Sequence, residues 1–316
     1  MTEDRVPRRS FLTTAAATMA GAALGVAATP SLGRAAESSH GGDRDFVAAP
    51  PHEIKLGIAS YSLREFPLDK ALEMAKTLRT PYINFKSVHI PYEKTPEELA
   101  AIRKQIEDDG FKIVGGGTIT FNEDTDAGVE KYFAYAKAAG MPTIVCTMPV
   151  ATLPRVEKFA KQYDINIAIH NHGTEDKVFP SPYDVLKHVK SMDPHMGLCI
   201  DIGHTVRTGT DPVKAVLDAG PRLHDMHAKD LADLSKRESQ VAVGEGKLPI
   251  AAIFRALQTI KYPGYVNLEY EINAKDPLPG MQISFAHMRG VLAGLAENSV
   301  AMTPSTPSKG SAKARG

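Results

Sequence analysis

The sequence predicts an α/β protein folded as a single closed (β/α)₈ TIM barrel, and three observations point there. Short β-rich runs alternate regularly with segments of helical periodicity, so the strands pair in parallel through right-handed crossovers. The alternating span, residues 53–298, is close to the ~250 residues usual for such a barrel. The first strand-to-helix turn, Ser60-Tyr61-Ser62-Leu63-Arg64, lacks a glycine-rich phosphate fingerprint, which argues against a doubly wound open sheet.

The elements follow in chain order. Residues 1–36 read as an export signal of the twin-arginine type. Pro7-Arg8-Arg9-Ser10-Phe11-Leu12 opens a charge-free run rich in Ala, Gly and Thr, and small residues follow near Ala36. The run is too weakly apolar for a membrane anchor, so stable insertion after cleavage is not expected and a periplasmic or secreted location is. Residues 37–52 are a polar, Gly- and Pro-containing linker, and residues 299–316 a tail with almost no apolar side chains, expected to be disordered. In between, strands are expected at Ile54 to Ser60, Tyr82 to Ser87, Lys112 to Gly117, Thr143 to Met148, Asn166 to His170, Gly197 to Asp201, Leu223 to His227 and Tyr265 to Glu269. Apolar residues recur at three and four in the helical segments, as in Leu68-Ala71-Leu72-Ala75 and Leu99-Ile102-Ile106. Thr95-Pro96, Ser181-Pro182 and Asp211-Pro212 mark helix starts with Pro in the first helical position.

Composition narrows the function classes. The chain has 316 residues, 43% hydrophobic and 23% charged, with Lys plus Arg equal to Asp plus Glu at 37 each. No basic stripe interleaved with aromatics lies outside the termini, so a nucleic-acid partner is not expected. Trp is absent, which disfavours a module that stacks sugars on indole. Cys146 and Cys199 both fall inside apolar strand-like runs and read as buried thiols rather than a disulfide.

Chemistry concentrates at the ends of strands five to eight. The apolar segments IAIH, LCID, HDMH and VNLE end in His170, Asp201, His227 and Glu269. In a parallel barrel those carboxyl ends share one mouth, and mixed imidazole and carboxylate donors suit one divalent ion. Mn²⁺ is the first expectation, with Zn²⁺, Co²⁺, Fe²⁺ or Mg²⁺ as the other candidates. His172 competes with His170 as the ligand from strand five. Side chains two apart share a face, which turns Cys199, Asp225, Lys229, Asn267 and Glu271 toward the interior with the ligands. Catalytic roles are expected for Glu269, Lys86, His204 and Lys229, and substrate contacts for His89, Asn171, His172, Asp230 and Glu271. A lysine near a divalent cation has its protonated form disfavoured, which suits Lys86 to acid–base work. Lys229 suits a substrate oxygen, with Asp230 holding Lys229 or a water. The turn Gly244-Glu245-Gly246 is placed to offer backbone to substrate, or is an ordinary turn.

The motifs KSVHIP, GGGTITF, IAIHNHG, DIGH, HAKD, GEGK and NLEYE together resemble the xylose-isomerase-like TIM barrels. That superfamily of sugar-phosphate isomerases and epimerases also takes in inosose dehydratases and the endonuclease IV type of repair enzyme. The resemblance spans the whole barrel and says little of substrate. It implies that ketose epimerases of this kind carry Glu, Asp, His and Glu on strands five to eight, where this chain has His170, Asp201, His227 and Glu269. His170 departs from the pattern, so the implied two-glutamate epimerisation is in doubt. A branch with Tyr-His-Asn-His on strand five looks closer, and some such exported proteins resemble enzymes acting on 3-keto glycosides. The expectation is therefore an exported metal-dependent isomerase or epimerase moving a proton next to a carbonyl of an unphosphorylated sugar or keto sugar. A lyase or hydrolase-like enzyme on keto glycosides is second. The alternatives of other classes are a non-catalytic sugar-binding barrel and, more remotely, a DNA-cleaving barrel. A homo-oligomer is compatible with this expectation.

Overall fold

In the computed structural model, residues 53–301 are described; the expected signal, the linker and the tail from 302 on lie outside them. Eight parallel strands close into a barrel: Lys55–Ala59, Tyr82–Phe85, Lys112–Thr120, Thr143–Thr147, Asn166–His170, Met196–Asp201, Leu223–Ala228 and Tyr265–Leu268. The first strand pairs with both the second and the eighth, which is what closure requires. A two-residue antiparallel pair, Asp230–Leu231 with Gln240–Val241, caps the excursion after the seventh strand.

Each expected strand is present within a few residues of its expected bounds; the third runs on from Gly117 to Thr120. The helix starts hold for a local reason. Thr95 forms a reciprocal capping box with Glu98, Ser181 one with Asp184, and the Asp211 carboxylate accepts from Val213 N, each ahead of a Pro whose missing N–H costs nothing there. The last helix, Leu278–Ala301, continues past the expected barrel end at 298. Among the described residues no helix is long and apolar enough to cross a membrane.

Outward positions of the later strands, Ile200, Met226, Leu268 and Tyr270, are buried beneath the helices, as period-two alternation demands. The barrel axis is more polar. Below the mouth, Asp225 takes hydrogen bonds from Asn84 Nδ2 at 2.8 Å and Asn267 Nδ2 at 2.7 Å. Burial raises the Asp225 carboxyl to about 6, with His227 acting against the rise. This layer leaves no room on the first strand: a Cβ on Gly57 would lie 2.3 Å from Asn267 Oδ1. Cys146 and Cys199 are both buried free thiols.

Candidate functional site

Register brings the ligand residues together. Asp201 lies opposite His227, His170 opposite Cys199, and Asn267 opposite His227, so Glu269, two residues on, faces the same space one layer higher. His170 Nε2 lies 3.0 Å from His227 Nδ1 and 3.7 Å from Asp201 Oδ2, and His227 Nδ1 lies 3.1 Å from Glu269 Oε2. One donor atom from each of the four residues falls within 4.8 Å of every other. A tetrahedral ion with bonds of about 2.1 Å would need its ligands about 3.4 Å apart, inside the observed spread. Asp201 Oδ2 is fully buried and accepts no hydrogen bond; its charge is met only by the Lys229 ammonium at 3.1 Å, which leaves lone pairs of that carboxylate open to a cation. The four residues therefore fit a divalent cation.

Local structure holds these groups before anything binds. Asp201 caps the short helix Ile202–Arg207, its Oδ1 accepting from His204 N at 2.8 Å, which commits one carboxylate oxygen and frees the other. Asn171 fixes the Asp201 backbone, its Oδ1 accepting from Asp201 N at 3.0 Å while its Nδ2 donates to Thr205 Oγ1 at 3.1 Å. His170, not His172, joins the ligand group. The His172 ring stacks on His170 with centroids 4.3 Å apart, and its Nδ1 lies 3.3 Å from Asp176 Oδ2.

Charge is balanced tightly. The Lys229 ammonium donates to Glu271 Oε2 at 2.6 Å and lies 2.9 Å from Glu269 Oε2 and 3.1 Å from Asp201 Oδ2. Burial alone would raise the Glu269 carboxyl, but His227 and Lys229 hold it well below its usual range. Asp201 is likewise lowered against its burial, by His204 and Lys229. Burial works against the Lys229 charge too, yet Asp201, Glu269 and Glu271 hold its ammonium well above the ordinary range. Burial pushes His170 far down and His204 down to about 4. Both are therefore neutral near pH 7, and in the ligand group that suits His170 to bind metal. Burial opposes a charge on His227, yet Cys199 and Glu269 hold it well above its usual range, so a cation binding there must displace its extra proton. Arg207 Nη1 lies 2.8 Å from His204 Nδ1, and since guanidinium only donates, His204 Nδ1 accepts and its Nε2 carries the hydrogen.

These groups line a cavity of about 260 Å³ at the carboxyl ends of the strands. Of the residues singled out from sequence, His170, His172, His204, Lys229, Glu269, Glu271 and Lys86 line it. Lys86 donates to Thr118 O at 2.9 Å, and burial lowers its ammonium, with Glu269 acting the other way. Three expected substrate contacts are placed elsewhere. Asp230 does not hold Lys229 or face the cavity; its buried carboxylate collects the N–H groups of Leu231, Gly244, Gly246 and Leu248. The Gly244-Glu245-Gly246 turn thus serves as its partner. Asn171 is the buried brace already described, and His89 is buried against Ser60, 2.9 Å from Nδ1 to Oγ. Sequence reasoning missed Tyr61, Thr118, Thr120, Thr147 and Arg237, all on the cavity wall.

The sequence profile of the xylose isomerase-like TIM barrels matches residues 83–291. The chain belongs to that family. Solved structures agree on the fold. An uncharacterised protein from Parabacteroides distasonis is 26% identical, covering 75% of this chain and 98% of its own at a TM-score of 0.59. An L-ribulose 3-epimerase is 16% identical, covering 81% of this chain and 100% of its own at 0.66. The IolI protein, solved with a bound zinc atom, is 17% identical, covering 76% of this chain and 99% of its own at 0.65. No curated protein matches the chain.

Proposed function

We propose that this xylose isomerase-like barrel is a divalent-metal-dependent enzyme that moves a proton on the carbon next to a carbonyl of a single unphosphorylated sugar or keto sugar. The observation that carries this reading is the convergence of His170, Asp201, His227 and Glu269, with one donor atom from each within 4.8 Å of every other, at the edge of a cavity lined by His170, Glu269, Lys86 and Lys229. A divalent cation bound there would supply the Lewis acidity that stabilises an enediolate. Mn²⁺ heads the candidates, and the zinc of the structurally similar IolI protein keeps Zn²⁺ beside it.

The chain's own residues divide the remaining work. Glu269, ionised by its cationic neighbours, takes the proton. Lys86 stands on a strand separated from that of Glu269 by only the first strand, so both reach one reacting carbon, and Lys86 hands a proton to the developing oxygen or back to carbon. His204, with its Nε2–H directed by Arg207, donates to a substrate hydroxyl, and Lys229 screens the negative charge that builds beside it. Three of the expected substrate contacts change role: Asn171, Asp230 and His89 shape the site from behind its wall.

His170 also bears on stereochemistry. Inversion at carbon needs a base on each face, and the ring at the strand-five position is turned into the ligand group, with His227 at 3.0 Å. A single carboxylate base fits return of the proton on the same face, giving isomerisation, or loss of a β-substituent, giving elimination from a keto glycoside. The test is deuterium uptake from D₂O at the carbon next to the carbonyl across a panel of keto sugars and 3-keto glycosides. Uptake that requires added Mn²⁺ or Zn²⁺ supports the reading, and the product separates isomerase from lyase. No uptake with any of them sinks it.

A further inference from the structure

We infer that Thr118, Thr120 and Thr147 form a subsite that reads uncharged hydroxyl groups at the non-reacting end of the substrate. The inference rests on the sugar reading above and names what that reading leaves open, the part of the sugar that sets specificity. Thr120 lies directly opposite Thr147 in the pairing of the third and fourth strands, and Thr118 lies just before them, in the irregular stretch where the register of the third strand shifts. All three line the cavity.

Their hydroxyls differ from those of most threonines here in facing the cavity without a protein partner. Those of Thr80 and Thr205 bond backbone carbonyls at 2.6 Å each, and those of Thr95 and Thr125 cap helices. The hydroxyls of Thr118, Thr120 and Thr147 bond to no protein group among the described residues; Thr118 and Thr147 are half-buried and Thr120 is exposed. Thr120 and Thr147 stand side by side on paired strands with Thr118 on the same wall, so the three free hydroxyls are held in place before a ligand binds. A hydroxyl both donates and accepts, which matches a row of substrate hydroxyls that do the same. An anionic end would use the threonines only as donors and would call on a positive charge as well. Arg237, at the same cavity, has no ion-pair partner among the described residues and is the group an anionic end would choose instead.

The experiment uses the full chain with Mn²⁺ and an unreactive probe, glucitol, compared with its terminal deoxy analogue by calorimetry. Wild type is expected to bind glucitol roughly threefold to tenfold more tightly than the deoxy probe, the worth of about one hydroxyl contact. Thr120→Val with Thr147→Val, and Thr118→Val alone, keep shape and strand preference while deleting hydroxyls. They are expected to erase or shrink that ratio without changing the Mn²⁺ titration. The inference is overturned if wild type binds neither probe, if it shows no preference, or if the valine variants keep the preference. It is also overturned if glucarate binds more tightly than glucitol and only Arg237→Gln removes the advantage. Failure of the deuterium exchange with an intact glucitol preference would reject the proposed reaction and leave this subsite standing.

Discussion

The two halves of the barrel mouth are built on opposite principles. In the half made by strands five to eight, most polar side chains are buried and held by a neighbour on at least one atom: Asp201 is capped and braced, Lys229 sits among three carboxylates, and Arg207 fixes His204. In the half made by strands one to four, Tyr61, Lys86 and the three threonines line open cavity, and among the described residues the hydroxyls of Tyr61 and the threonines bond to no protein group. The first arrangement spends folding free energy to hold charge where water cannot relax it, the condition for electrostatic catalysis. The second holds groups that a ligand can satisfy, the condition for recognition. One side should therefore set rate and metal affinity, and the other the choice of substrate.

The sharpest way to break this division is Glu269→Gln, which keeps size and removes the base. Metal-dependent deuterium exchange is expected to fall by about 10²–10⁴-fold, the usual share of a general base, with far-UV circular dichroism unchanged. Thr120→Val should cost roughly tenfold or less in the same assay, through KM rather than kcat. Equal losses from the two variants would erase the contrast.

Asn171 tests whether the brace matters as much as the ligand. Asn171→Ala strips the Asp201 N–H of its acceptor and Thr205 of a donor, all fully buried. Mn²⁺ binding is expected to weaken about 10–100-fold, as when partners of metal ligands are lost, and stability to fall by about 1–3 kcal/mol. Calorimetry and urea unfolding read these separately. Unchanged affinity with lowered stability would make Asn171 a purely structural residue.

The contrast also explains what was legible in the sequence. The four candidate ligands end apolar runs of matching length, and period-two alternation fixes their face, so the fold and the convergence of these four side chains could be read together. Alternation also carries information that proximity in sequence obscures. Asn171 lies between His170 and His172, and Asp230 follows Lys229, so both turn away from the cavity, though their neighbours suggested substrate contacts. The threonine wall was invisible for a different reason: Thr is a favoured strand residue whether or not its hydroxyl is used, so GGGTIT carries no mark of recognition. Tyr61 lies in the first strand-to-helix turn and Arg237 in the excursion after strand seven, where neither period applies.

Lys229 sharpens the comparison within the charged half. Its ammonium lies against the same carboxylate oxygens that a cation would need, so it competes with the metal for them. Lys229→Met is expected to tighten Mn²⁺ binding by about tenfold or more, because a like charge a few ångströms from the ion is removed. The same variant should slow exchange, since Glu271 and Glu269 lose the charge that screens them. Weaker metal binding would instead show that Lys229 organises the carboxylates and does not oppose the ion.

The smallest expected effect lies in the pH dependence of the metal-free protein. His204 takes a proton near 6.5 when unfolded and only near 4 in the fold, because burial and the nearby Lys229 ammonium disfavour its charge, outweighing Asp201. The unfolded chain therefore binds more protons in that window, and the stability that neutral His204 contributes is complete above about pH 6.5 and lost as pH falls toward 4. His204→Asn, which keeps an acceptor for Arg207 and cannot take up a proton, should flatten the fall in urea midpoint between pH 7 and pH 4.5. No comparable change is expected from Thr147→Val, which carries no titratable group. If His204→Asn leaves the acid dependence as steep as in wild type, the buried charge balance lies with the carboxylates, and His204 is a hydrogen-bond donor only.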